Sequence, residues 1–352
     1  MMPLIEFMLA SAIGLGTTLT FISSHWLLAW VGLEINTLAI IPLMAQHHHP
    51  RATEAATKYL LIQAASTATL LFATTLNAFT QEEWSITSIE NQAAITLIML
   101  ALALKLGLAP FHFWLPEVMQ GLNLTTGMIL ATWQKLAPTA LILQTSHLAP
   151  PNLLMTLGIL STLAAGWAGI NQTQLRKILA YSSTAHLGWL ISISLYAPHL
   201  ALLTLGIYVL MTTAAFLTIK TTSSTKINIL TQSWSKNPTM MAAMVLILLS
   251  LAGLPPLTGF MPKWLILEEL AKQELAVPAT TLAMSALLSL YFYLRLCYSS
   301  TLTLFPTTTK LKSPWHRLNV KQNMIAITTI STMAITLLPL TPMTLNLARF
   351  YF

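Results

Sequence analysis

The chain has 352 residues, of which 8% are Asp, Glu, Lys or Arg and 55% are hydrophobic. A soluble globular protein carries roughly 25% charged residues, so this chain has too little charge to cover a water-facing surface. All ten acidic residues are Glu, which excludes an Asp-ligated magnesium site, a Ser-His-Asp triad and an EF-hand loop. The single cysteine, Cys297, excludes an intrachain disulfide, a cysteine-ligated iron–sulfur cluster and a multi-cysteine zinc site.

The net charge of +7 raises the question of nucleic-acid binding, because Lys and Arg neutralise phosphates. The basic residues, however, lie between long apolar runs, and they form no basic face with interleaved aromatic residues. This arrangement is typical of a membrane protein with basic loops. We therefore expect membrane lipids around the chain and no nucleic-acid partner.

Runs long enough to cross a bilayer, which needs about 20 apolar residues per helix, occur eleven times. They leave no room for a soluble domain, so the sequence predicts an all-α polytopic membrane protein with a single transmembrane domain over residues 1–352. The predicted spans are 3–22, 26–45, 57–78, 93–109, 122–143, 152–170, 178–196, 199–219, 239–258, 276–302 and 324–346.

Loop charges alternate along these spans. Every second loop carries most of the basic residues, whereas Glu82, Glu83 and Glu90 share a loop with no basic residue. Lys and Arg collect on the side of the membrane from which a chain is inserted, so the N-terminus is predicted on the basic-loop side. That side is the cytoplasm of a bacterium or the matrix of a mitochondrion. The basic loop residues are Arg51, Lys58, Arg176, Lys177, Lys220, Lys226, Lys236, Lys310, Lys312, Arg317 and Lys321.

Four ionisable residues, Glu34, Lys105, Lys135 and Lys263, fall inside or beside apolar runs. A charge at a helix centre costs about 2.5–3.5 kcal/mol on insertion scales. The presence of each of these residues therefore requires a structural or functional explanation. Lys105 and Lys263 lie near helix ends and could extend to the interface. For Glu34 the alternative is a structural ion pair with a lysine of a neighbouring helix. The functional interpretation is a chain of protonatable groups, because burial disfavours a charged lysine and a nearby carboxylate favours it.

Two of the apolar runs are interrupted by helix-breaking residues. If spans 1–5 (about 3–143) and 6–10 (about 152–302) are two units, the interrupted helices hold the same place in each. A unit with an odd number of spans ends on the membrane face opposite to the one where it starts. The second unit would therefore enter the membrane from the opposite face. We therefore predict two inverted five-helix repeats with two broken helices, followed by a C-terminal helix at about 324–346. The halves show no evident sequence identity, and the prediction depends on this count. The interrupting residues are Pro110, Pro116, Gly253, Pro255, Pro256 and Gly259.

Two histidines, His112 and His186, lie at or inside apolar segments. Histidine titrates near neutral pH, which suits a proton relay. A hydrogen-bonded structural histidine remains the alternative at each position.

Several motifs resemble a known family. They are SSHWLLAWVGLEINTLAIIPLM around Glu34, KLGLAPFHFWLPEVMQG around Lys105, LRKILAYSSTAHLGW around His186 and SLAGLPPLTGFMPKW around Lys263. From end to end the chain resembles the subunit-2 family of mitochondrial NADH:ubiquinone oxidoreductase, respiratory complex I. Several of these motifs also resemble the wider antiporter-like family, and the short length and opening region favour the subunit-2 group.

The resemblance implies proton translocation across the mitochondrial inner membrane, coupled to electron transfer from NADH to ubiquinone. It implies that FMN and iron–sulfur clusters belong to other subunits, with no cofactor on this chain. It further implies contacts with other membrane-arm subunits, including subunits 4 and 4L, with accessory subunits and with lipids. The N-terminus would then lie on the matrix side.

The resemblance also implies residue roles. Glu34 matches the glutamate of the family's Glu–Lys pair, and Lys105 matches its partner on the first broken helix. Lys135 matches the central lysine, and Lys263 matches the residue that passes a proton onward from the second broken helix. The two histidines match polar positions along the same axis.

Two other functions stay open at this point. The chain could be a subunit of a stand-alone multisubunit sodium/proton antiporter, which would share the lysine and glutamate positions. It could also be a structural scaffold of the membrane arm, whose charges only pair and fix neighbouring helices.

Overall fold

The structure is a computed structural model that describes residues 3–46, 49–235, 238–302, 324–343 and 346. Within those ranges the chain forms fifteen α-helices, three short 3-10 helices and no β-strand. The α-helices are α1 (Pro3–Ile22), α2 (Trp26–Met44), α3 (Pro50–Gln81), α4 (Gln92–Leu106), α5 (Trp114–Gly121), α6 (Leu124–Ala131), α7 (Trp133–Thr145), α8 (Pro151–Ile170), α9 (Leu175–Ile193), α10 (Pro198–Thr222), α11 (Ile227–Gln232), α12 (Pro238–Ala252), α13 (Phe260–Lys272), α14 (Ala276–Leu302) and α15 (Met324–Thr336).

Six of these helices are long and apolar enough to cross a membrane, namely α1, α2, α3, α8, α10 and α14. Three further apolar helices, α4, α12 and α15, are shorter, with 10–17 residues in their apolar parts. An all-helical membrane fold is therefore confirmed. The other predicted spans correspond to helices that are shorter, broken or more polar.

The third span is longer than its predicted 57–78. It begins at Pro50, because proline has no N–H to leave unpaired and its fixed φ suits the first turn of a helix. The imidazole of His49 accepts a hydrogen bond from the Arg51 N–H at 3.2 Å and so caps the helix. The helix ends where Glu82 adopts a left-handed φ of 58°.

The fifth span, predicted as one helix over 122–143, is wrong as a continuous helix. The structure divides it into α6 and α7 at Thr132, whose φ and ψ are −111° and −71°. The Thr132 hydroxyl and the Thr132 N–H both donate to the carbonyl of Met128, at 2.7 and 3.0 Å. The break places the start of α7 two residues before Lys135.

The C-terminal helix is also shorter than the predicted 324–346. It ends at Thr336 and is followed by a 3-10 turn, Leu338–Leu340, which contains Pro339. Proline offers no N–H to the carbonyl four residues earlier and disfavours helical backbone at the residue before it. Several loop residues used for the charge argument lie outside the described residues, namely Lys236, Lys310, Lys312, Arg317 and Lys321.

The chain divides into two compact units. Unit 1 comprises Met1–Ser161 with Ile191–Pro198, and unit 2 comprises Thr162–Leu190 with His199–Phe352. Within unit 1, α1 and α2 pack closely through Gly16 and Gly32. A Cβ on Gly16 would lie 2.8 Å from the Gly32 carbonyl oxygen, and a Cβ on Gly32 would lie 2.9 Å from the Gly16 carbonyl oxygen. Small residues thus let the two backbones approach, as in other membrane helix pairs.

Each unit contains one broken helix, α4–α5 in unit 1 and α12–α13 in unit 2. The first half ends at Gly107 (φ 73°) in unit 1 and at Gly253 (φ 81°) in unit 2, and glycine adopts this left-handed conformation without strain. The N–H after each glycine bonds to the carbonyl five residues earlier, from Leu108 at 3.0 Å and from Leu254 at 3.4 Å. Both breaks are therefore Schellman turns.

The two breaks share sequence as well as geometry. Helix α12 begins and ends 146 residues after α4, and at the same spacing GLAPFHFWLPE (107–117) aligns with GLPPLTGFMPK (253–263). Four of these eleven positions are identical, one Gly, one Leu and two Pro. Sequence inspection missed this similarity. The inverted orientation of the two halves stays a prediction.

Candidate functional site

The end of α4 is capped by side chains from three other helices of unit 1. The last four carbonyl groups of a helix have no intrahelical donor, and inside a membrane they must find another. Here α5, α3 and α7 each supply a donor to a different carbonyl oxygen. The bonds run from Trp114 Nε1 to Leu104 (3.2 Å), from Gln63 Nε2 to Lys105 (3.4 Å) and from Lys135 Nζ to Leu106.

Lys135 is buried, with 2% of its surface exposed. Its ammonium donates to the Leu106 carbonyl and lies 5.6 Å from the centre of the Trp114 ring. The negative end of the α4 dipole and the face of an indole ring both favour a cation. These two contacts offset part of the cost of burying the Lys135 ammonium.

Lys105 is held differently. Only 5% of its surface is exposed, so it does not extend to the interface, and its Nζ has no hydrogen-bond partner within the described part of the chain. It interacts electrostatically with Glu34, whose Oε2 is also buried and unbonded in the described part. Among the described residues no ion pair within 4.0 Å joins them. The predicted Glu34–Lys105 pair is therefore an interaction at a distance.

In unit 1, Lys105, Lys135 and other polar side chains line a small cavity of about 10 Å³. That volume holds about one water molecule. Polar groups face it from four helices, and a Gln134 amide donates to the Asn36 carbonyl at 3.4 Å on its edge. One water there could bridge Lys105 and Lys135. The lining residues are Leu33, Asn36, Tyr59, Gln63, Lys105, Trp114, Leu130, Gln134, Lys135, Ala137 and Pro138.

His112 lies in the turn between α4 and α5. It is buried, and its ring lies at a tilt of 31° to the Phe113 ring with ring centres 4.4 Å apart. The cavity lining does not include it. Its position is therefore beside the break in unit 1, not between the two lysines.

Unit 2 repeats the contact between a lysine and a helix end. Lys263, on α13, donates from Nζ to the carbonyl oxygen of Ala252 at 2.8 Å. Ala252 ends α12 as Leu106 ends α4, 146 residues earlier. The lysine fits because Gly253 has no side chain, since a Cβ there would lie 2.9 Å from Nζ.

His186, on α9, belongs to the same part of unit 2. It interacts electrostatically with Lys263, and its ring centre lies 5.8 Å from that of Tyr208. In unit 1 the structure therefore places Lys105 and Lys135 at one cavity, with Glu34 interacting with Lys105 alone, and in unit 2 it places His186 near Lys263.

Comparison with known proteins adds the family. The model of the family described as "NADH:quinone oxidoreductase/Mrp antiporter, TM" matches residues 23–289, and that of "NADH dehydrogenase subunit 2 C-terminus" matches residues 290–345. NADH-ubiquinone oxidoreductase chain 2 of Carassius auratus is 61% identical over 348 residues, which are 99% of each chain. The chain belongs to the NADH-ubiquinone oxidoreductase chain 2 family.

Solved structures agree with this assignment. A chain of respiratory complex I from Thermus thermophilus matches with a TM-score of 0.85 and 29% identity, over 97% of this chain and 79% of that one. A chain of an Mrp complex from a Dietzia species matches with a TM-score of 0.83, over 97% of this chain and 76% of that one. Its identity is 16%, so this second likeness shows the fold alone.

All six residues predicted for the site lie within the part of this chain 2 family member that the first family model matches. Sequence analysis missed four further polar or aromatic residues of unit 1. A signal existed, since each lies on an apolar helix or beside a predicted site residue. They are Asn36, Gln63, Trp114 and Gln134.

Metal binding by this chain 2 family member would require several ligating side chains close together in the part of the chain that the structure describes. That part of the chain holds no group of three or more His, Cys or Glu residues that could bind a metal ion. The arrangement of the site is one of proton-bearing groups and hydrogen-bond donors.

Proposed function

We propose that this chain is a membrane-arm subunit of respiratory complex I and that its buried lysines carry protons across the membrane. The observation that supports this most directly is in unit 1. Lys105 and Lys135 both line one water-sized cavity at the end of a broken helix, and they are bound in different ways. Two neighbouring cationic groups cannot both be charged without repulsion, so one proton between them is the favoured state.

The transfer step follows from these contacts. Glu34 stabilises a proton on Lys105 through its negative charge. When Glu34 is neutralised or moves away, the Lys105 ammonium releases its proton to the cavity water, and that water passes a proton to a neutral Lys135 amine. The Leu106 carbonyl and the Trp114 ring then hold the new ammonium.

In unit 2 we propose that Lys263 and His186 form a second pair of proton-carrying groups. Lys263 keeps the same contact to a helix-terminal carbonyl that Lys135 makes in unit 1. His186 is the titratable neighbour of Lys263. A lysine that bonds to a carbonyl oxygen and interacts with an imidazole can pass on a proton in either direction.

The setting proposed for the chain follows from its family. NADH, flavin and iron–sulfur chemistry belong to other subunits, because a single cysteine cannot ligate a cluster. We place the chain in the mitochondrial inner membrane with its N-terminus in the matrix, on the side of its basic loops. Its proposed neighbours are membrane-arm subunits, including subunits 4 and 4L, and accessory subunits.

The experiment replaces the residue equivalent to Lys135 with Met in a bacterial complex I and reconstitutes the purified enzyme into vesicles. Quinone reduction and NADH-driven proton uptake are measured on the same preparation, with assembly checked by native electrophoresis. We expect proton uptake per NADH oxidised to fall well below that of the unaltered enzyme, because methionine fills the space without carrying a proton.

The matched control makes the same change at Lys220, an exposed lysine at the end of α10. It should leave proton uptake unchanged. Normal proton uptake by a fully assembled K135M enzyme would exclude the relay and favour a scaffold. Sodium-dependent uptake without NADH would favour an antiporter.

A further inference from the structure

A second, larger cavity lies in unit 2, where α8 ends and α9 begins. Its volume is about 440 Å³, within the range of small-molecule sites in proteins. Six of its seven lining residues are of polar types, and they include two basic side chains and no acidic one. The lining residues are Thr173, Gln174, Lys226, Ile227, Asn228, Arg295 and Ser299.

The walls of this cavity are fixed by main-chain hydrogen bonds between two loops. The Leu175 N–H donates to the Thr225 carbonyl at 3.1 Å, and the Ile227 N–H donates to the Thr173 carbonyl at 3.3 Å. On the third side, Arg295 of α14 donates from Nη1 to the carbonyl of Ile170 at 2.5 Å. A guanidinium has five N–H donors, so this bond positions Arg295 and leaves donors for a ligand.

The cations of the cavity have no acidic counterpart nearby in the sequence. Between Glu117 and Glu268 the chain contains no acidic residue. The acids of unit 2 lie on or just after α13, where Glu268 already pairs with Lys272 at 2.8 Å. Helix α13 ends four residues before α14 begins, and Arg295 lies 19 residues further along α14, which is about 28 Å of helix. No acidic side chain therefore lines the cavity beside Lys226 and Arg295, which leaves its positive charge open to an anionic ligand.

Exposed side chains next to the cavity indicate a lipid. Arg295 interrupts an apolar stripe on one face of α14, formed by Leu287, Tyr291, Tyr298 and Leu302, each at least 55% exposed. These positions recur at the spacing of one helix face. Exposed Trp and Tyr residues mark the membrane interface, and an arginine among them lies at the depth of lipid phosphates.

We propose that this cavity binds the phosphate group of an anionic phospholipid. Arg295 would bind two phosphate oxygens through its planar guanidinium, and Lys226 would add a second positive charge. The acyl chains would lie along the exposed stripe of α14, toward Leu287. A free phosphate ion would use the same cations but not the stripe.

The test uses the assembled complex in nanodiscs that contain phosphatidylcholine and a photoreactive phospholipid. One preparation has photoreactive phosphatidylglycerol and the other has photoreactive phosphatidylcholine. After irradiation, labelled peptides are quantified by mass spectrometry. With the photoreactive group on an acyl chain, we expect the anionic probe to label the α14 peptide around Leu287 and Tyr291 several-fold more than the zwitterionic probe, because only the anionic lipid brings net negative charge to the two cations.

Substitutions then assign the labelling to the cavity. Arg295→Gln and Lys226→Gln should each reduce anionic labelling about fivefold, the scale of one basic residue near an anionic surface. Arg295→Lys, which keeps the charge, should retain most of the labelling and controls for folding. Lys272→Gln, which removes a paired lysine just before the start of α14, should change nothing.

Three outcomes would overturn the proposal. Equal labelling by both probes would show that charge does not select the lipid. Labelling abolished by millimolar inorganic phosphate would identify a free anion as the ligand. Absence of lipid labelling together with protection of Lys226 from an amine reagent would show that an acidic protein partner covers the cavity.

Discussion

Lys135 on α7 donates a hydrogen bond to the carbonyl oxygen of Leu106, the residue at which α4 ends. In unit 2, Lys263 donates to Ala252, which ends α12 146 residues later than Leu106 ends α4. The two lysines come from helices at different places in the order, α7 and α13. What recurs is therefore the helix end with its unpaired carbonyls, which attracts a cation wherever the sequence supplies one.

Gly253 tests this contact in unit 2. In Gly253→Ala the new methyl would lie 2.9 Å from Lys263 Nζ, and the φ of 81° would cost about 1–2 kcal/mol. We expect the enzyme to lose both thermal stability and proton uptake, because the lysine must leave the Ala252 carbonyl. Heat-inactivation rates and vesicle proton uptake measure the two effects.

The control for Gly253 is Gly206 on α10, where a Cβ would meet no atom within 4 Å. Gly206→Ala should leave proton uptake unchanged and raise stability by about 0.4–1 kcal/mol. Unimpaired pumping by G253A in a stable complex would mean that the contact of Lys263 with the helix end does not matter.

Trp114 offers a second test, in unit 1. Its ring lies under Lys135, and its Nε1 donates to the Leu104 carbonyl at 3.2 Å. Trp114→Phe keeps a ring and loses the hydrogen bond, whereas Trp114→Leu loses both. We expect Leu to impair proton uptake more than Phe, since a desolvated cation–π contact contributes about 2 kcal/mol. Equal effects of the two substitutions would show that the ring does not stabilise the lysine.

Much of this fold could be predicted from the sequence, because a membrane-spanning helix is recognised by the length of its apolar run. The spans 3–22 and 152–170 match α1 and α8 to within one residue. The break at Thr132 could not be predicted, because threonine occurs throughout these helices and Thr212 and Thr218 make the same hydroxyl bond to the carbonyl four residues earlier inside an unbroken helix.

The candidate site was predicted in its charges but not in its partners. Glu34, Lys105 and Lys135 stand out because ionisable residues are rare in apolar runs. Gln63 and Asn36 do not stand out, because an uncharged amide side chain has a low free-energy cost and can occur anywhere on such helices. Which carbonyl a lysine reaches depends on how α3, α5 and α7 pack, and no local pattern encodes that.

Glu34 and Lys105 should act as one unit. Because they interact electrostatically without contact, removing either should weaken proton uptake, and removing both should be no worse than the stronger single change. The cycle compares Glu34→Gln, Lys105→Met and the double variant by initial rates of proton uptake. Coupled residues typically deviate from additivity by about 0.5–3 kcal/mol. Strictly additive losses would show that the two groups act separately.

Glu117 and Lys263 occupy equivalent positions in the two broken helices, 146 residues apart, and provide the sharpest contrast. Glu117 is exposed and pairs with Lys58 at 2.8 Å, whereas Lys263 is half-buried and bonds to a helix-terminal carbonyl. Exposed ion pairs contribute little to stability, so Glu117→Gln should leave assembly and proton uptake unchanged. Lys263→Met should abolish most proton uptake, because it removes a titratable group and leaves the Ala252 carbonyl without its lysine donor. Measured side by side in vesicles, similar losses from both variants would show that the position in the fold matters, and not the contact that the lysine makes there.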